Sequence, residues 1–369
     1  MDSTCFSSAD GAARALRELY RQYGYGHFRM SKFEEYDFYA RNKSFLVSDS
    51  IITFTDPDGR LMALKPDVTL SIVKNAQVGA GAAQKVYYNE KVYRTEPESR
   101  EFREITQTGL ECVGDLGFYD VAEVVLLAAK SLDLLAKDYI LDVSHLGFVS
   151  GLLDHAGADG TARGRILTAI SEKNAPYMKQ LCGEAGFDPA AREALLALTR
   201  LYGPLGEQLP ALRALSVNAQ TDAAADELER LYAVLTAAGM AGRVHLDFSI
   251  VNDMKYYNGF LFRGYVSGAP KGVLAGGCYD RLLADMGKRG RAIGFAIYLD
   301  QLERLRANAG RLDADVLLTY DETADAADIA ETVQTLLKSG KRVRVQKADD
   351  GSVKAERTIH LGKEGGGCA

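Results

Sequence analysis

Five short segments of this chain combine polar side chains, glycines and tyrosines in a pattern that core packing alone does not explain. In chain order they are residues 63–69, residues 93–96 with 107–111, residues 252–258, residues 276–280 and residues 292–296. Asp67, Thr69 and Gln107 offer acceptor atoms for an ammonium group, while Glu111 and a tyrosine hydroxyl could accept the N–H groups of an imidazole. A lone polar residue on a strand usually faces solvent or pairs across the sheet, but this set predicts a binding pocket.

Other motifs that bind phosphate or metal are incomplete. Gly79 and Gly81 begin a dinucleotide-type loop, but Gln84 stands where the third glycine belongs. The sequence has no P-loop motif, no H-E-x-x-H and no G-x-S-x-G, and its five cysteines form neither a C-x-x-C pair nor a zinc spacing. We therefore predict no metal site, no cofactor, and free thiols in a reducing compartment.

The bulk composition is that of an ordinary folded protein with a sizeable core. Of the 369 residues, 47% are hydrophobic and 25% are charged, and the formal net charge is -6. An acidic chain lacks a uniform attraction for nucleic acid, which weighs against binding of tRNA. No apolar run approaches the roughly 20 residues that span a bilayer, and residues 1–10 do not resemble a signal peptide. We predict a cytoplasmic protein without a membrane segment.

The elements around the five segments must position the pocket. β-forming residues at 51–54 and 60–64 flank a turn that contains Pro57 and Gly59, which predicts a hairpin, and residues 69–75 are predicted to be helical. The other elements that we predict in this part of the chain are a helix at 8–22, an extended segment at 28–39, strands at 84–94 and 104–114, a helix at 119–137, strands at 139–143, 243–248, 257–266 and 272–274, and a helix at 299–309.

The order of these elements predicts the architecture. Residues 147–241 are rich in alanine and leucine and are punctuated by glycine and proline, which indicates a helical insertion. Strands before and after it favour an α+β domain over residues 1–310, with a mostly antiparallel sheet flanked by helices. Residues 311–369 then form a second unit, in which strands at 315–320 and 342–346 enclose a helix at 324–339. Its glycine-rich tail should be flexible.

Taken together and in this order, the five segments resemble histidyl-tRNA synthetase, a class II synthetase, over about residues 10–305. The resemblance implies that fold, with the second unit similar to the start of the family's anticodon-binding domain. It also implies that the histidine pocket of the family is formed here by Asp67, Thr69, Gln107, Glu111, Tyr257 and Tyr279. We add Arg94 and Tyr256 to the predicted ligand-binding residues. Asp67 is shorter than the glutamate of the family, and Gly276 and Gly277 are expected to serve strand or turn geometry.

The residues for amino-acid activation are not all present. Joining a carboxylate to the α-phosphate of ATP builds negative charge that fixed cations must stabilise, and the resemblance implies three arginines for this purpose. The first corresponds to Arg94, but the second is replaced by Asn252 and the third position falls on Gln301. Arg304 comes three residues too late, which on a helix means a rotation of about 60° and a shift of about 4.5 Å. The loss of one such donor costs about two to three orders of magnitude in rate.

These losses favour one branch of the family. A synthetase-like core without two arginines, followed by a truncated second unit, is similar to the regulatory subunits of ATP phosphoribosyltransferase. This resemblance implies a non-catalytic subunit of histidine biosynthesis that assembles with a short catalytic subunit, self-associates as a dimer and relays feedback by histidine, without tRNA. Two alternatives remain open at this point. One is a divergent histidyl-tRNA synthetase or other amino-acid-activating ligase that uses Lys255 or Arg304, and the other is a scaffold whose pocket binds nothing.

Overall fold

The computed structural model describes residues 9–46, 51–77, 79, 81–95, 100–250, 257–302 and 312–362. The chain divides into two compact units, Met1–Glu303 and Arg304–Ala369. The first unit contains the large sheet and the helices that flank it, and the second is a small parallel sheet with one helix.

Twelve described strands make up two sheets in the first unit. They are β1 (Gly26–His27), β2 (Phe33–Glu35), β3 (Thr53–Thr55), β4 (Leu61–Leu64), β5 (Ala83–Thr95), β6 (Phe102–Gly114), β7 (Tyr139–His145), β8 (Tyr202–Pro204), β9 (Val244–Asp247), β10 (Phe260–Val266), β11 (Leu274–Cys278) and β12 (Arg291–Tyr298). The nine-stranded sheet has the order β1-β5-β6-β12-β11-β10-β7-β9-β8, and β2-β4-β3 form the other. In the large sheet only the pairs β1–β5 and β7–β9 are parallel among the described strands. The predicted mostly antiparallel α+β fold is confirmed.

Two long strands form the central part of the large sheet. β5 and β6 pair antiparallel over their whole length, so that Val86 lies opposite Glu111 and Tyr88 opposite Gly109. The face of β5 that carries Val86 and Tyr88 packs against Val68 and Ile72. Side chains alternate between the two faces of a strand, so this packing fixes which residues of β6 share the face with Tyr88.

Eleven helices of the first unit have described bounds. They are α1 (Ala9–Gln22), α2 (Tyr36–Arg41), α3 (Thr69–Asn75), α4 (Phe118–Leu135), α5 (Leu146–His155), α6 (Gly160–Ser171), α7 (Ala175–Glu184), α8 (Pro189–Leu198), α9 (Leu205–Ala214), α10 (Ala219–Ala237) and α11 (Asp280–Asp285). Residues 121–129 of α4 are all buried, because this helix contacts α1 on one side and strands of the large sheet on the other. The one acidic residue of this stretch, Glu123, pairs with Lys85 of β5 at 2.7 Å, which compensates its buried charge.

Helices α5 to α10 occupy the part of the chain for which a helical insertion was predicted. Their starts follow capping rules: the side chains of Asp159, Asn174, Asp188 and Asn218 each accept a hydrogen bond from a backbone N–H of the first turn. The prediction of residues 147–241 as helical agrees with these helices except at β8, whose three residues join the edge of the large sheet beside β9.

Two predicted elements of the first unit differ from the structure. The extended segment at 28–39 instead ends in α2, whose residue Tyr39 is fully buried, because consecutive aromatic residues hid the helical spacing. The strand predicted at 272–274 is β11, which runs on through Gly276 and Gly277. A Cβ at Gly276 would overlap Gly294 O and the Phe295 side chain of β12, so close strand contact requires glycine where strand propensity argues against it. Of the helix predicted at 299–309, residues 299–302 are helical and the rest lies outside the described residues.

The second unit contains one more strand than predicted. Its elements are β13 (Ala314–Tyr320), α12 (Ala326–Lys338), β14 (Val343–Gln346) and β15 (Ala355–Leu361), and the strand order is β14-β13-β15 with both pairs parallel. The β-α-β element is as predicted. β15 was missed because Glu356, Arg357 and His360 interrupt its apolar residues. The glycine-rich tail lies outside the described residues.

Candidate functional site

One cavity on the face of the large sheet brings together most of the predicted ligand-binding residues. Its lining consists of Phe45, Leu46, Asp67, Thr69, Tyr88, Arg94, Gln107, Glu111, Tyr257, Ala275, Tyr279, Gly294, Phe295, Ala296 and Tyr298. Seven of the eight predicted residues are therefore in one place. The eighth, Tyr256, lies outside the described residues, as does the lost arginine position Asn252. All five sequence segments contribute to the lining, and residues 252–258 do so through Tyr257.

Glu111 is the buried acidic group of the cavity. Its side chain is 2% exposed; Oε1 accepts a hydrogen bond of 2.8 Å from the Thr69 hydroxyl, and Oε2 accepts one of 2.5 Å from the Tyr279 hydroxyl. Burial raises the pKa of Glu111 to about 8, although both hydroxyl donors act in the opposite direction. Glu111 can therefore change its protonation state near neutral pH when a ligand donates to it.

Two glycines of neighbouring strands leave room for the site side chains. Gly294 of β12 is the register partner of Glu111, and a Cβ there would overlap the Glu111 carboxylate. A Cβ at Gly277 would lie 2.7 Å from the ring of Tyr257. Gly277, which the sequence predicted to serve strand geometry, therefore also makes room for a residue of the cavity. Glu111 and Tyr257 therefore each require a glycine, without a Cβ, on the neighbouring strand.

Asp67 serves the start of helix α3 as well as the cavity. Its Oδ1 accepts a hydrogen bond of 2.9 Å from the backbone N–H of Leu70. Burial raises the pKa of Asp67, while the bond from Leu70 and the charge of Arg94 oppose this. The backbone N–H of Thr69 also donates to this carboxylate, so Asp67 is engaged with the start of the helix while it lines the cavity. The short side chain explains this arrangement, since an aspartate can accept a hydrogen bond from the backbone N–H three residues later in the chain.

Arg94 and Gln107 also line the cavity. Arg94 donates from Nε to the carbonyl of Pro66 over 3.0 Å, which ties the end of β5 to the segment that precedes α3. Gln107 of β6 is 3% exposed and lies opposite Tyr298 of β12. Arg94 is the one basic side chain among the described residues of the lining.

The remaining segments are held together by a separate network. The side chains of Asn258 and Asp280 are joined by a 2.8 Å hydrogen bond, and Asp280 also accepts from the backbone N–H of Ala292 over 2.7 Å. The backbone of Tyr279 donates to the carbonyl of Ala292 over 2.8 Å. These bonds fix the position from which the Tyr279 hydroxyl reaches Glu111.

Sequence reasoning missed two tyrosines of the cavity. Tyr88 is buried and donates to the carbonyl of Phe295 over 3.3 Å, and Tyr298 lies opposite Gln107. Tyr88 shares the face of β5 with Arg94 by simple alternation, so the period of two could have found it. Tyr298 could be found only once the register between β6 and β12 was known.

Gln301 lies outside the cavity lining. Its side-chain amide donates to Asp300 over 3.1 Å. Lys255 and Arg304, the candidate substitute cations, lie outside the described residues. Within the described ranges no group of three or more histidine, cysteine or acidic side chains is arranged to hold a metal ion. In the same part of the chain, every helix is too short or too polar to cross a membrane.

The fold and the site define a class of protein before any particular family. A large, mostly antiparallel sheet that carries a polar cavity on one face is the architecture of the class II aminoacyl-tRNA synthetase fold. The chain belongs to the histidyl-tRNA synthetase family, whose model matches residues 6–302. The resemblance predicted from the five segments is confirmed.

Curated relatives narrow the position of the chain within this family. It is 28% identical to the ATP phosphoribosyltransferase regulatory subunit of Clostridium kluyveri, over 88% of this chain and 85% of that protein. The regulatory subunit of Ruminiclostridium cellulolyticum is 26% identical, over 87% of this chain and 79% of the relative. The family branch predicted from the lost arginines is therefore the one in which these relatives are found.

Solved structures share the fold. The structure described as an ATP phosphoribosyltransferase regulatory subunit/histidyl-tRNA synthetase from Bacillus halodurans has a TM-score of 0.73 at 22% identity and covers 96% of this chain and 94% of its own. Histidyl-tRNA synthetase from Nostoc has a TM-score of 0.72 at 18% identity. The match covers 93% of this chain and 83% of the synthetase. A chain of the ATP phosphoribosyl transferase complex from Thermotoga maritima has a TM-score of 0.63 at 18% identity. The match covers 79% of this chain and 97% of that one.

Proposed function

We infer that this chain is the regulatory subunit of ATP phosphoribosyltransferase, acts at the first step of histidine biosynthesis and is not itself the catalyst. The observation that carries the inference is the combination within one cavity: the acceptor set for an amino acid is retained, yet Arg94 is the one cation among the described lining residues. Such a cavity suits binding of an amino acid more than stabilisation of a phosphoryl transition state. The names of the curated relatives support the same function.

We propose that histidine is the ligand of the cavity. Glu111, supported by Thr69 and Tyr279, would accept an imidazole N–H, and Asp67 with Gln107 would accept the ammonium group. A donor placed against Glu111 favours its ionised form, which offsets the effect of burial on its pKa. Histidine would therefore supply a hydrogen-bond donor that favours the ionised form of Glu111.

We further propose that a short catalytic subunit is the partner, that two copies of this chain associate, and that the complex is cytoplasmic. Binding of histidine to this chain then changes the activity of the partner through a coupling free energy between the two sites. The relation to the Thermotoga maritima complex supports this proposal through the shared fold.

The test is an activity assay of the short catalytic subunit with and without this chain, each with and without histidine. We expect the chain to raise the activity and histidine to inhibit the assembled complex. Glu111→Gln should keep the stimulation but weaken histidine inhibition about 10- to 100-fold, since a hydrogen bond to a charged group contributes about 1.5–3 kcal/mol. Glu193→Gln, on the exposed surface of α8, is the matched control and should behave as the wild type.

The outcomes separate this function from its alternative. A chain that neither stimulates nor co-purifies with the catalytic subunit is not its regulatory subunit. Histidine-dependent ATP–pyrophosphate exchange should be absent from the purified chain. Robust exchange would instead identify a divergent histidyl-tRNA synthetase.

A further inference from the structure

The cavity assigns partners to two of the three polar parts of an amino acid. Glu111 faces one, and Asp67 with Gln107 faces another, whereas a carboxylate requires a cation. Carboxylates are bound most strongly by guanidinium groups, often through two parallel hydrogen bonds. Arg94 already uses its Nε for Pro66, so a second guanidinium beside the cavity would complete the carboxylate site.

Arg263 of β10 occupies such a position. It lies directly opposite Ala275 of β11, and Ala275 lies opposite Ala296 of β12. Residues opposite one another in an antiparallel pair project from the same face of the sheet. Ala275 and Ala296 both line the cavity, so Arg263 projects from the cavity face, one strand beyond its wall.

The side chain of Arg263 runs towards the Tyr298 end of the cavity. A Cβ added to Gly272 would lie 3.1 Å from both Cγ and Cδ of Arg263, so the stem of the arginine passes over this bare backbone. The next residue, Val273, accepts a hydrogen bond of 2.9 Å from the backbone N–H of Tyr298. The charges of Arg94 and Arg263 both lower the pKa of Tyr298, against the larger effect of its burial. The two guanidinium groups therefore lie near the same phenol ring.

No partner in the described part of the chain occupies the Arg263 guanidinium. Its register neighbour on β7 is Asp142, the most obvious candidate for an ion pair. The charge of Arg263 does lower the pKa of Asp142, but no hydrogen bond or ion pair joins the two side chains among the described residues, and Oδ1 of Asp142 is buried there without a hydrogen-bond partner. Arg263 itself is half-buried. A half-buried guanidinium without a partner is costly to keep unless it meets an anion when a ligand is bound.

We propose that Arg263, together with Arg94, binds the carboxylate of the amino acid held in the cavity. The proposal rests on the proposed function, since it names the residue that completes the same site. The resemblance places a family arginine at the position of Asn252, where this chain has no cation. Under the proposal, Arg263 of β10 supplies a cation to the site from a different strand. Recognition then requires all three parts of the ligand.

Calorimetry on the full chain with two ligands tests the proposal. Histidine has the carboxylate, and histamine has the same imidazole and ammonium groups without it. We expect the wild type to bind histidine more tightly, and Arg263→Gln to weaken histidine by about 10-fold or more while histamine changes less than about twofold. Arg263→Lys should recover part of the affinity, because it restores the charge without the planar fork. Arg200→Gln, an exposed arginine of the insertion, is the control and should change neither ligand.

Other results would overturn the proposal in distinguishable ways. If histidine binds, and Glu111→Gln weakens it, but Arg263→Gln leaves it unchanged, the carboxylate site is wrong and the proposed function stands. If Arg263→Gln weakens inorganic phosphate rather than histidine, the guanidinium serves a phosphate group. If the wild type binds neither histidine nor histamine, alone or with the catalytic subunit, both the proposed ligand and the carboxylate site are wrong.

Discussion

Glu111 and Asp142 are buried carboxylates on the same face of the large sheet, at opposite ends of it. Burial raises the pKa of Glu111 to about 8 and that of Asp142 to about 7, the latter with a further contribution from the charge of Asp247. Their neighbours differ. Glu111 accepts from two hydroxyl groups and borders an open cavity, whereas Asp142 lies beside a second carboxylate under the helical insertion.

The second carboxylate at the far end has a structural partner. Asp247 pairs with Lys173 at 2.9 Å, and the Lys173 ammonium also lies 4.3 Å from the centre of the Tyr202 ring. Lys173 follows α6 and adopts a φ of 52°, a conformation that lysine rarely takes. This ion pair fastens the insertion to the sheet. A raised pKa alone therefore does not mark a ligand site; donors arranged around the carboxylate and space beside it do.

Gly294→Ala should have the largest effect, and only at the Glu111 end. The added Cβ would displace the Glu111 carboxylate, so histidine should bind about 100-fold more weakly or worse. The free energy of unfolding should also fall by about 1–3 kcal/mol, as expected for overpacking between strands. Calorimetry and urea unfolding measure the two effects.

A glycine with free space around it provides the control for this substitution. Gly164 lies within α6, and nothing stands within 4 Å of an added Cβ. Gly164→Ala should raise the free energy of unfolding by about 0.5–1 kcal/mol and leave histidine affinity unchanged. Unchanged binding in Gly294→Ala would mean that the position of Glu111 does not matter to the ligand.

Lys173→Met should have the opposite pattern, affecting stability and not binding. It leaves Asp247, which is 4% exposed, without its cation, so the free energy of unfolding should fall by about 1–3 kcal/mol. This range allows for the partial exposure of Lys173. Lys179→Met, on the exposed surface of α7, should change stability little, and histidine affinity should match the wild type in both variants. A large loss of affinity in Lys173→Met would show that the two ends are coupled.

The contrast between the surroundings of Glu111 and those of Asp142 also shows which features could be predicted from the sequence. Helix α3 was predicted with its observed bounds, and β5 and β6 within two residues, because their apolar spacing and the flanking proline and glycine are local signals. Seven predicted pocket residues meet in the cavity, and the segments that contain them could be recognised because they follow the order of the family. The burial of Asp142 and the ion pair between Lys173 and Asp247 gave no such local signal. They depend on which strands become neighbours, and the neighbour of β7 in the parallel direction, β9, is about a hundred residues away in the chain.

The same limit explains the elements that were missed. β11 contains two glycines that only strand packing explains, and α2 and β15 are too short or too charged to show a clear period. Tyr298 and Arg263 gain their meaning from register, since each is ordinary in sequence and lies beside the cavity only after pairing. Long-range pairing, rather than local propensity, decided these positions.

The pH dependence of stability provides the smallest effect and compares the two carboxyl groups directly. A carboxyl group whose pKa is higher in the folded chain keeps its proton there after the unfolded chain has lost it. The free energy of unfolding should therefore fall as pH rises from the ordinary carboxyl range towards about 7 for Asp142 and about 8 for Glu111. Each group contributes a slope of at most about 1.4 kcal/mol per pH unit. Glu111→Gln and Asp142→Asn should each reduce this slope in urea unfolding, and Glu193→Gln should not.

Histidine separates the two contributions, because its imidazole N–H donates to Glu111 and not to Asp142. A bound imidazole N–H favours ionised Glu111, so saturating histidine should remove the Glu111 share of the slope in Asp142→Asn. In Glu111→Gln the remaining slope belongs to Asp142, and histidine at the same concentration should not flatten it. The charge of Arg263 lowers the pKa of Asp142, and a ligand carboxylate on Arg263 offsets that effect, so the slope should persist to the same or a higher pH. If histidine instead flattened the slope of Glu111→Gln, the ligand would act at the insertion end of the sheet, and the assignment of the cavity would be wrong. If histidine flattened the slope of neither variant, the protonation of Glu111 would not change on binding. The ligand would then not donate an N–H group to Glu111.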